Sequence, residues 1–453
     1  LFKVSITASP FTLSSLPNGL TFLDNALNQG AIEFSLNVDG KGDNWRRWNK
    51  VGWFALTDGA LMAKGLKIPF SNILLRLKLN RHVAEIKQLQ FNIKQSEARI
   101  TGTVRNWETQ PKVKLEMIAP QFDIDLLIPK GERSPMRDIL ESVAETKTIM
   151  GNINFGRAWY KALNFQNLKA RLQIKDGHIV VKKISGKVES GKIKGRLLVH
   201  LPVKQPATVK TWIIMEDVPF QPLEATFLSK ENIKKRLVTG NVSVRGVVEG
   251  DGKDTRGVFP TLNGNLKVQI KDGRIKRGTV IPKILGLLNL SAVLQGEFDL
   301  QKEGYPFDTQ SGTLLLKNGV ITSEDIIMDG PILKLRGAGS YNLVQDQLEL
   351  AVAASPLGSY FNLLRELPLF GLLLDGEEEG IDMALFDVKG PISDPIITPL
   401  PLESFAAGLT GFAKLAINVL KNTLNLPADI LLPDGLEDFS FPEDDQMDED
   451  DEF

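Results

Sequence analysis

Residues Leu168 to Val181 read "LKARLQIKDGHIVV". Leu168, Ala170, Leu172 and Ile174 alternate with Lys169, Arg171, Gln173 and Lys175. A period of two with one apolar face is the signature of a half-buried strand. Asp176 and Gly177 follow, and then apolar residues resume. A type I′ turn needs positive φ at both central positions, which Asp-Gly tolerates, so the stretch predicts a hairpin. Its apolar face must be covered by something, because a one-faced antiparallel sheet leaves only the other face to water.

The same layout recurs along the chain. "GAIEFSLNVDG" from Gly30 leads to Asp58-Gly59, "GNINFGRAWY" from Gly151 leads to Asp176-Gly177, and "GNVSVRGVVEG" from Gly240 leads to Asp272-Gly273. The Gly-to-Asp offsets are 28, 25 and 32 residues. A weaker copy, "SGTLLLKNGVI", has its turn at Asn318-Gly319. Self-similarity at such a period predicts a repeat architecture. One-faced alternation continues at Ile73, Leu75, Leu77 and Leu79, at Leu266, Val268 and Ile270, and at Leu348, Leu350 and Val352. Glycine-punctuated return strands follow the turns, as in "KVESGKIKGRLLV" (Lys187 to Val199), where small residues permit a bend or a bulge.

Helical signals are sparse. "SPMRDILESVAETKTIM" opens on Ser134 and Pro135, a capping residue followed by proline in the first turn. "PLEATFLSKENIKKRL" (Pro222 to Leu237) is the second predicted helix, and each precedes a "GN" strand. With so few helices, the apolar strand faces leave three solutions: a sheet curled on itself, a sandwich, or a sheet that holds an apolar ligand.

Composition sets the outer limits. The chain has 453 residues, 42% hydrophobic and 24% charged, the balance of a folded protein. Net charge is −1, but the end "PEDDQMDEDDEF" (Pro442 to Phe453) carries eight acids and no base, leaving 54 bases against 47 acids in the body. A mildly basic body lacks the dense basic stripe of a nucleic-acid binder, and the acidic end predicts a disordered, solvating tail. With no cysteine, a disulfide framework and thiolate metal sites are excluded.

Several motifs invite chemistry and do not sustain it. His82, His178 and His200 fall in predicted strands or beside turns, without metal-ligand spacing. The Asp-Gly pairs predict turns, because a calcium loop needs more oxygens. "GDGKDTRG" (Gly250 to Gly257) lacks the order of a phosphate-binding loop and predicts a hairpin loop. No serine shows a nucleophile elbow or a partnered histidine, so neither catalytic residues, a cofactor nor a metal is expected. "DNWRRWNKVGW" interleaves Trp45, Trp48 and Trp53 with Arg46, Arg47 and Lys50. It reads as a headgroup-contacting loop, a subunit contact, or aromatic–Arg stacking on one surface.

The combination is familiar as a whole. A helix, then "GN[IV]x[FV]", then "Lx[AG]xLx[IV]xDGxI", then "SGKIKGRL" resembles the C-terminal region of the AsmA-like family of Gram-negative envelope proteins. "LPLFGLLLDGEEEGIDMALFDVKGPISDPIITPLPLESFAAGLTGF" (Leu367 to Phe412) resembles the end of the large YhdP-type members. The resemblance runs from Gly19 to Leu426. It implies a mainly β fold: an elongated, curled antiparallel β-groove of repeated hairpin units with a few short helices. Groove repeat units are expected over 1–121, 122–217 and 218–356, a C-terminal tip or cap over 357–440, and the acidic tail over 441–453.

The function implied is lipid transport in the periplasm, with phospholipid or another acyl lipid moving between inner and outer membrane in an apolar groove. An inner-membrane anchor in a missing N-terminal segment is expected. Self-association or an envelope protein partner is possible, and nucleic acid is not expected. The related TamB branch offers the alternative, an assembly scaffold for outer-membrane proteins. On the transport reading, the groove is lined by Ile73, Leu75, Leu77, Leu79, Leu168, Leu172, Ile174, Val268, Ile270, Leu314, Leu316, Leu348 and Leu350.

The apolar run around Phe361, Leu363, Leu364, Leu367, Leu369, Phe370, Leu372 and Leu373 is too short to span a bilayer. Phe405, Leu409 and Phe412 begin one face of an amphipathic helix. These two segments either touch the membrane or plug the end of the sheet.

Overall fold

The computed structural model describes residues 2–12, 27–42, 48–62, 69–128, 137, 140–141, 148–202, 205–227, 238–252, 257–275, 280–288, 304–357 and 384–400. The fold is mainly β, with twenty strands among the described residues. By spatial contact the chain divides into two compact units. Unit 1 is Leu1–Val209 with Asp251–Arg256, and unit 2 is Lys210–Gly250 with Gly257–Phe453. The boundaries expected after residues 121, 217 and 356 follow the repeat, whereas this division follows contact.

Unit 1 holds β1 (Phe2–Thr12), β2 (Leu27–Gly40), β3 (Asn49–Met62), β4 (Pro69–Asn80), β5 (Val83–Ile93), β6 (Ser96–Arg105), β7 (Lys112–Asp123), β8 (Thr148–Tyr160), β9 (Leu163–Lys175), β10 (His178–Val188) and β11 (Gly191–His200). Each strand pairs with the next in sequence. Among the described residues β1 pairs only with β2, so the curled sheet stays open.

One pairing departs from the antiparallel rule: β7 and β8 run parallel. A parallel neighbour needs a crossover of a dozen or more residues, where an antiparallel one needs only a tight turn. Residues 124–147 supply it. The crossover opens with a 3-10 turn, Ile124–Leu127, capped by Asp123, whose carboxylate accepts from the Asp125 N–H at 3.0 Å. The first predicted helix lies inside it. Arg137, Leu140 and Glu141 are helical, and Arg137 Nε donates to Glu141 Oε1 at 2.6 Å. Its predicted end, Thr148 to Met150, instead opens β8.

The Asp-Gly pairs divide into two kinds. Asp176-Gly177 and Asn318-Gly319 are two-residue hairpin turns, with φ of 52° and 77°, and 49° and 75°. Asp58-Gly59 and Asp272-Gly273 are not turns; they lie within strands, in β3 and in β14 (Asn263–Ile275). Asp58 (φ 50°) and Asp272 (φ 51°) mark bulges, each facing a glycine that the ladder skips. At Gly30 (φ 138°) a Cβ would lie 3.1 Å from Gly59 Cα, and at Gly240 (φ 129°) 3.0 Å from Gly273 Cα. The recurring Gly-to-Asp spacing is therefore the spacing of a paired bulge at residues 30 and 240. At Gly151 the same letters make a turn.

In unit 2, β12 (Ala207–Pro219) leads into helix α1 (Phe220–Phe227). That is the first part of the second predicted helix; residues 228–237 lie outside the described set. β13 (Val238–Gly252), β14, β15 (Tyr305–Lys317), β16 (Val320–Asp329), β17 (Leu333–Asn342), β18 (Gln347–Pro356), β19 (Ala384–Gly390) and β20 (Ile396–Leu400) follow. From β13 onward each pairs antiparallel with the next.

Helix α2 (Val280–Leu287) was not foreseen from sequence. It buries Ile281, Ile284 and Leu285, one helical face. Lys283 Nζ ties it to Asp394 Oδ1 and to the Pro395 carbonyl, each at 2.6 Å.

Tyr305 anchors this unit. It is fully buried, and its hydroxyl oxygen accepts from the Leu333 N–H at 3.1 Å. Burial pushes its phenol up to about 12. Tyr305→Phe should cost about 1–3 kcal/mol in thermal or urea unfolding, because the buried N–H loses its acceptor. A raised acid pKa in the folded state stabilises below the unfolded value near 10. The wild type should therefore lose that contribution as pH climbs from about 10 through 12, and the Phe variant should show no such step.

Candidate functional site

The registers of unit 1 assemble apolar side chains into rungs that cross the strands. One rung is Leu36, Gly52, Leu79, Ala84, Val104, Val113, Ile149, Ile174, Ile179 and Val199, each the register partner of the next. Two residues along each strand lies a second: Phe34, Phe54, Leu77, Ile86, Gly102, Leu115, Gly151, Leu172, Val181 and Leu197. A third joins Ile32, Leu56, Leu75, Leu89, Ile100, Met117, Ile153 and Ala170. Directly opposed side chains share a face, so ten strands present one apolar surface.

Burial grades across that surface. Every member of the second rung is half-buried. In the third, Ile32 and Leu56 are buried and form a cluster with Ile73. Further along the strands, Phe122, Ala158, Phe165 and Val188 are successive register partners with exposures of 3%, 2%, 9% and 1%. Phe122 stacks on Phe155 at 4.8 Å. The face is thus a packed floor at the margin holding the β5–β6, β8–β9 and β10–β11 turns. Toward the other margin it is apolar and half-buried, apart from Ala84 and Ile174 of the first rung, which are buried.

The floor is well filled because aromatic rings and alanines alternate across it, which lets layers interdigitate. Of the rungs beyond it, Phe34, Phe54, Leu75 and Leu89 pack against the Ile32, Leu56 and Ile73 cluster, and the second rung stays half-buried from β4 to β11. Leucines that stay only half-buried in register across many strands are notable, because large contiguous apolar patches mark interaction sites.

Unit 2 differs. Leu316, Ile321, Tyr341 and Leu348 form a rung, and Leu350 joins Val388 and Ile397. Yet Ala351, Val352, Ala353 and Ala354 are buried in succession, as are Ala384, Leu385 and Phe386. These stretches of β18 and β19 are thus buried on both faces.

The thirteen residues expected in the groove distribute accordingly. Leu79 and Ile174, Leu77 and Leu172, and Leu75 occupy the three rungs of unit 1. Ile73 sits in the buried cluster, and Leu168 faces Phe155 beside a bulge at Asn167. Val268, Ile270, Leu314, Leu316, Leu348 and Leu350 share one face of unit 2, where Ile270 and Leu316 are buried and the rest half-buried. Sequence reading missed the residues of β2, β3, β5, β6, β7, β8, β10 and β11 that complete the rungs. Period two was visible there, but only the register shows which residues meet. The expected membrane or cap contacts Phe361, Leu363, Leu364, Leu367, Leu369, Phe370, Leu372, Leu373, Phe405, Leu409 and Phe412 lie outside the described residues.

The polar motifs scatter. Trp45, Arg46 and Arg47 lie outside the described residues. Trp48 packs edge-on against Phe2 at 4.5 Å, whereas Trp53 is 43% exposed on the opposite face. His178 and His200 stack at 4.5 Å; His82 Nδ1 stands 3.5 Å from Glu108 Oε2. Glu108 is also ion-paired with Lys50, both side chains being more than nine-tenths buried.

A family described as YhdP protein matches residues 51–397. The chain belongs to the YhdP family. Two relatives from Escherichia coli (strain K12) bracket it. It is 22% identical to Protein AsmA over 331 residues, 62% of this chain and 50% of that protein. It is 26% identical to Intermembrane phospholipid transporter YhdP over 154 residues, 30% of this chain and 12% of that protein. The chain thus spans half of one relative and a small part of the other. No solved structure matches. The YhdP-family match begins in β3 and runs to β20, so it takes in nine of the ten strands that carry the rungs.

Proposed function

We propose that this chain is part of an envelope lipid-transport protein that holds phospholipid acyl chains against the rungs of unit 1 and passes them between inner and outer membrane. The observation that carries the reading is the second rung, ten register partners wide and half-buried throughout. A relative named as an intermembrane phospholipid transporter supports it. Each CH₂ moved from water onto such a face gains about 0.8 kcal/mol. No bond is made or broken, so the reading needs no catalytic group, cofactor or metal. Sliding along the rungs exchanges one leucine contact for the next at little net cost. The setting proposed is the periplasm.

Native mass spectrometry with lipid extraction tests this. Wild-type chain should carry phospholipid, and Leu75→Asp with Leu172→Asp should lose most of it while keeping its far-UV circular dichroism. A folded, lipid-free wild type, or a double variant that keeps its lipid, would sink the reading.

A second reading, an assembly scaffold that accepts a client strand, is favoured by one observation. Among the described residues β1 pairs on one side only, and it exposes Val4 and Ile6 at 45% and 48%. Copurified peptide in place of lipid would select it.

A further inference from the structure

The two margins of the unit 1 sheet differ in charge. Beside the packed floor, the strand ends flanking the two-residue turns are Ile93 and Ser96, Tyr160 and Leu163, and Val188 and Gly191. The charges within those turns, Lys94, Lys161 and Glu189, nearly cancel, with Asp123 at the end of β7.

The open margin is basic. Exposed Arg81 sits in the β4–β5 turn, and exposed Arg105, Lys112 and Lys175 end or begin their strands. All three histidines of the protein, His82, His178 and His200, are there as well. The acids of this margin are largely engaged. Glu108 holds Lys50, Asp39 accepts from Asn49 Nδ2 at 3.0 Å, and Asp176 lies 4.0 Å from Lys175.

Register ties this basic row to the apolar one. Arg105 follows Val104, Lys112 precedes Val113, Lys175 follows Ile174 and His178 precedes Ile179, so each lies one residue beyond the first rung. The pleat points them to the other side of the sheet. An acyl chain on the rungs and a headgroup turned over the margin would meet the two rows in turn. The rail is repeated across strands, as the rungs are.

We propose that this basic margin is a headgroup rail that selects lipids with an anionic head over zwitterionic ones and orients them, tails toward the packed floor. The inference rests on the groove reading above and adds selectivity and orientation to it.

The test offers the chain vesicles of equal parts phosphatidylglycerol and phosphatidylcholine, re-isolates it and quantifies both lipids. Wild type should retain the anionic lipid with a preference on the order of fivefold, the scale of one basic side chain at an anionic surface. Arg81→Gln with Arg105→Gln and Lys175→Gln should bring the ratio close to one with total lipid unchanged. Lys94→Gln with Lys161→Gln, on the other margin, should leave the ratio at its wild-type value. On wild type alone, raising salt from 0.05 to 0.5 M should shrink the preference, because exposed charges are screened.

A wild-type ratio of one, or a preference that survives the triple change or the salt, overturns the rail and leaves the groove standing. Retention of neither lipid overturns the groove and the rail with it.

Discussion

Glu108→Gln should cost about 3–5 kcal/mol of stability, the usual penalty for breaking a buried ion pair from one side. The reason is Lys50. Its side chain is 8% exposed and that of Glu108 4%. Around the ammonium stand the Trp48 carbonyl at 3.5 Å and the Trp107 ring at 5.5 Å. Glu108→Gln removes the carboxylate that this buried ammonium contacts. The pair also clamps three segments, since Lys50 opens β3, Glu108 lies in the β6–β7 connection, and Trp107 Nε1 donates to the Arg81 carbonyl in the β4–β5 turn at 3.2 Å. The companion variant is informative. Lys50→Met with Glu108→Leu removes both charges and fills similar volume, so it should lie well above the single variant in urea midpoint. A double variant no more stable than Glu108→Gln would show that the contacts, and not the stranded charge, set the cost.

Gly102→Ala should be among the most damaging single methyls in unit 1, matched by Gly52→Ala, whose Cβ would lie 2.1 Å from the Ser35 carbonyl oxygen. A Cβ built at Gly102 would lie 2.1 Å from the Lys114 carbonyl oxygen and 3.0 Å from Leu115 Cα. Both are backbone, so no rotamer change relieves the clash; β6 and β7 must separate. Overpacking in a filled site costs roughly 1–3 kcal/mol and more where the backbone must move, and the upper end applies here. Gly102 is also a member of the second rung. Its replacement should therefore lower both the melting temperature and the lipid retained by folded protein. Gly42, with nothing within 4 Å of its would-be Cβ, shows φ of 69° and is a poor control. Gly286, equally open and in a helix, is the better one. Gly102→Ala melting with Gly286→Ala would contradict the close approach.

Much of the fold was legible because alternation is a local signal. Leu75, Leu77 and Leu79 announce a one-faced strand without help from any neighbour. The turns were less legible. Of the six two-residue hairpin turns among the described residues, two carry Asp-Gly or Asn-Gly. The others are Arg81-His82, Lys94-Gln95, Lys161-Ala162 and Glu189-Ser190, whose first residues hold φ of 50° to 52°. Those residue types give no turn signal; the strands on either side impose the geometry.

The reverse error fell at Asp58-Gly59 and Asp272-Gly273. There a strong turn signal sits in a strand because a skipped glycine on the neighbouring strand makes room for a bulge. The parallel β7–β8 seam has no local signature beyond the length of its connection. The candidate site was half legible for the same reason. Which face is apolar is written in each strand, but which residues align across strands depends on bulges that shift the register.

Because, among the described residues, each of β1 to β11 pairs with its sequence neighbours, the distance the rungs cover is set by simple counting. At about 4.8 Å per strand, ten strands reach on the order of 43 Å, and one more hairpin would add about 10 Å. Such an insertion remakes a single ladder and leaves every other cross-section as it was. Reach and bore are then separate inherited quantities: duplication of a hairpin lengthens the path, while side-chain substitution within a rung reshapes it. Sheets built this way with more or fewer hairpins would share one cross-section and differ only in how far it extends.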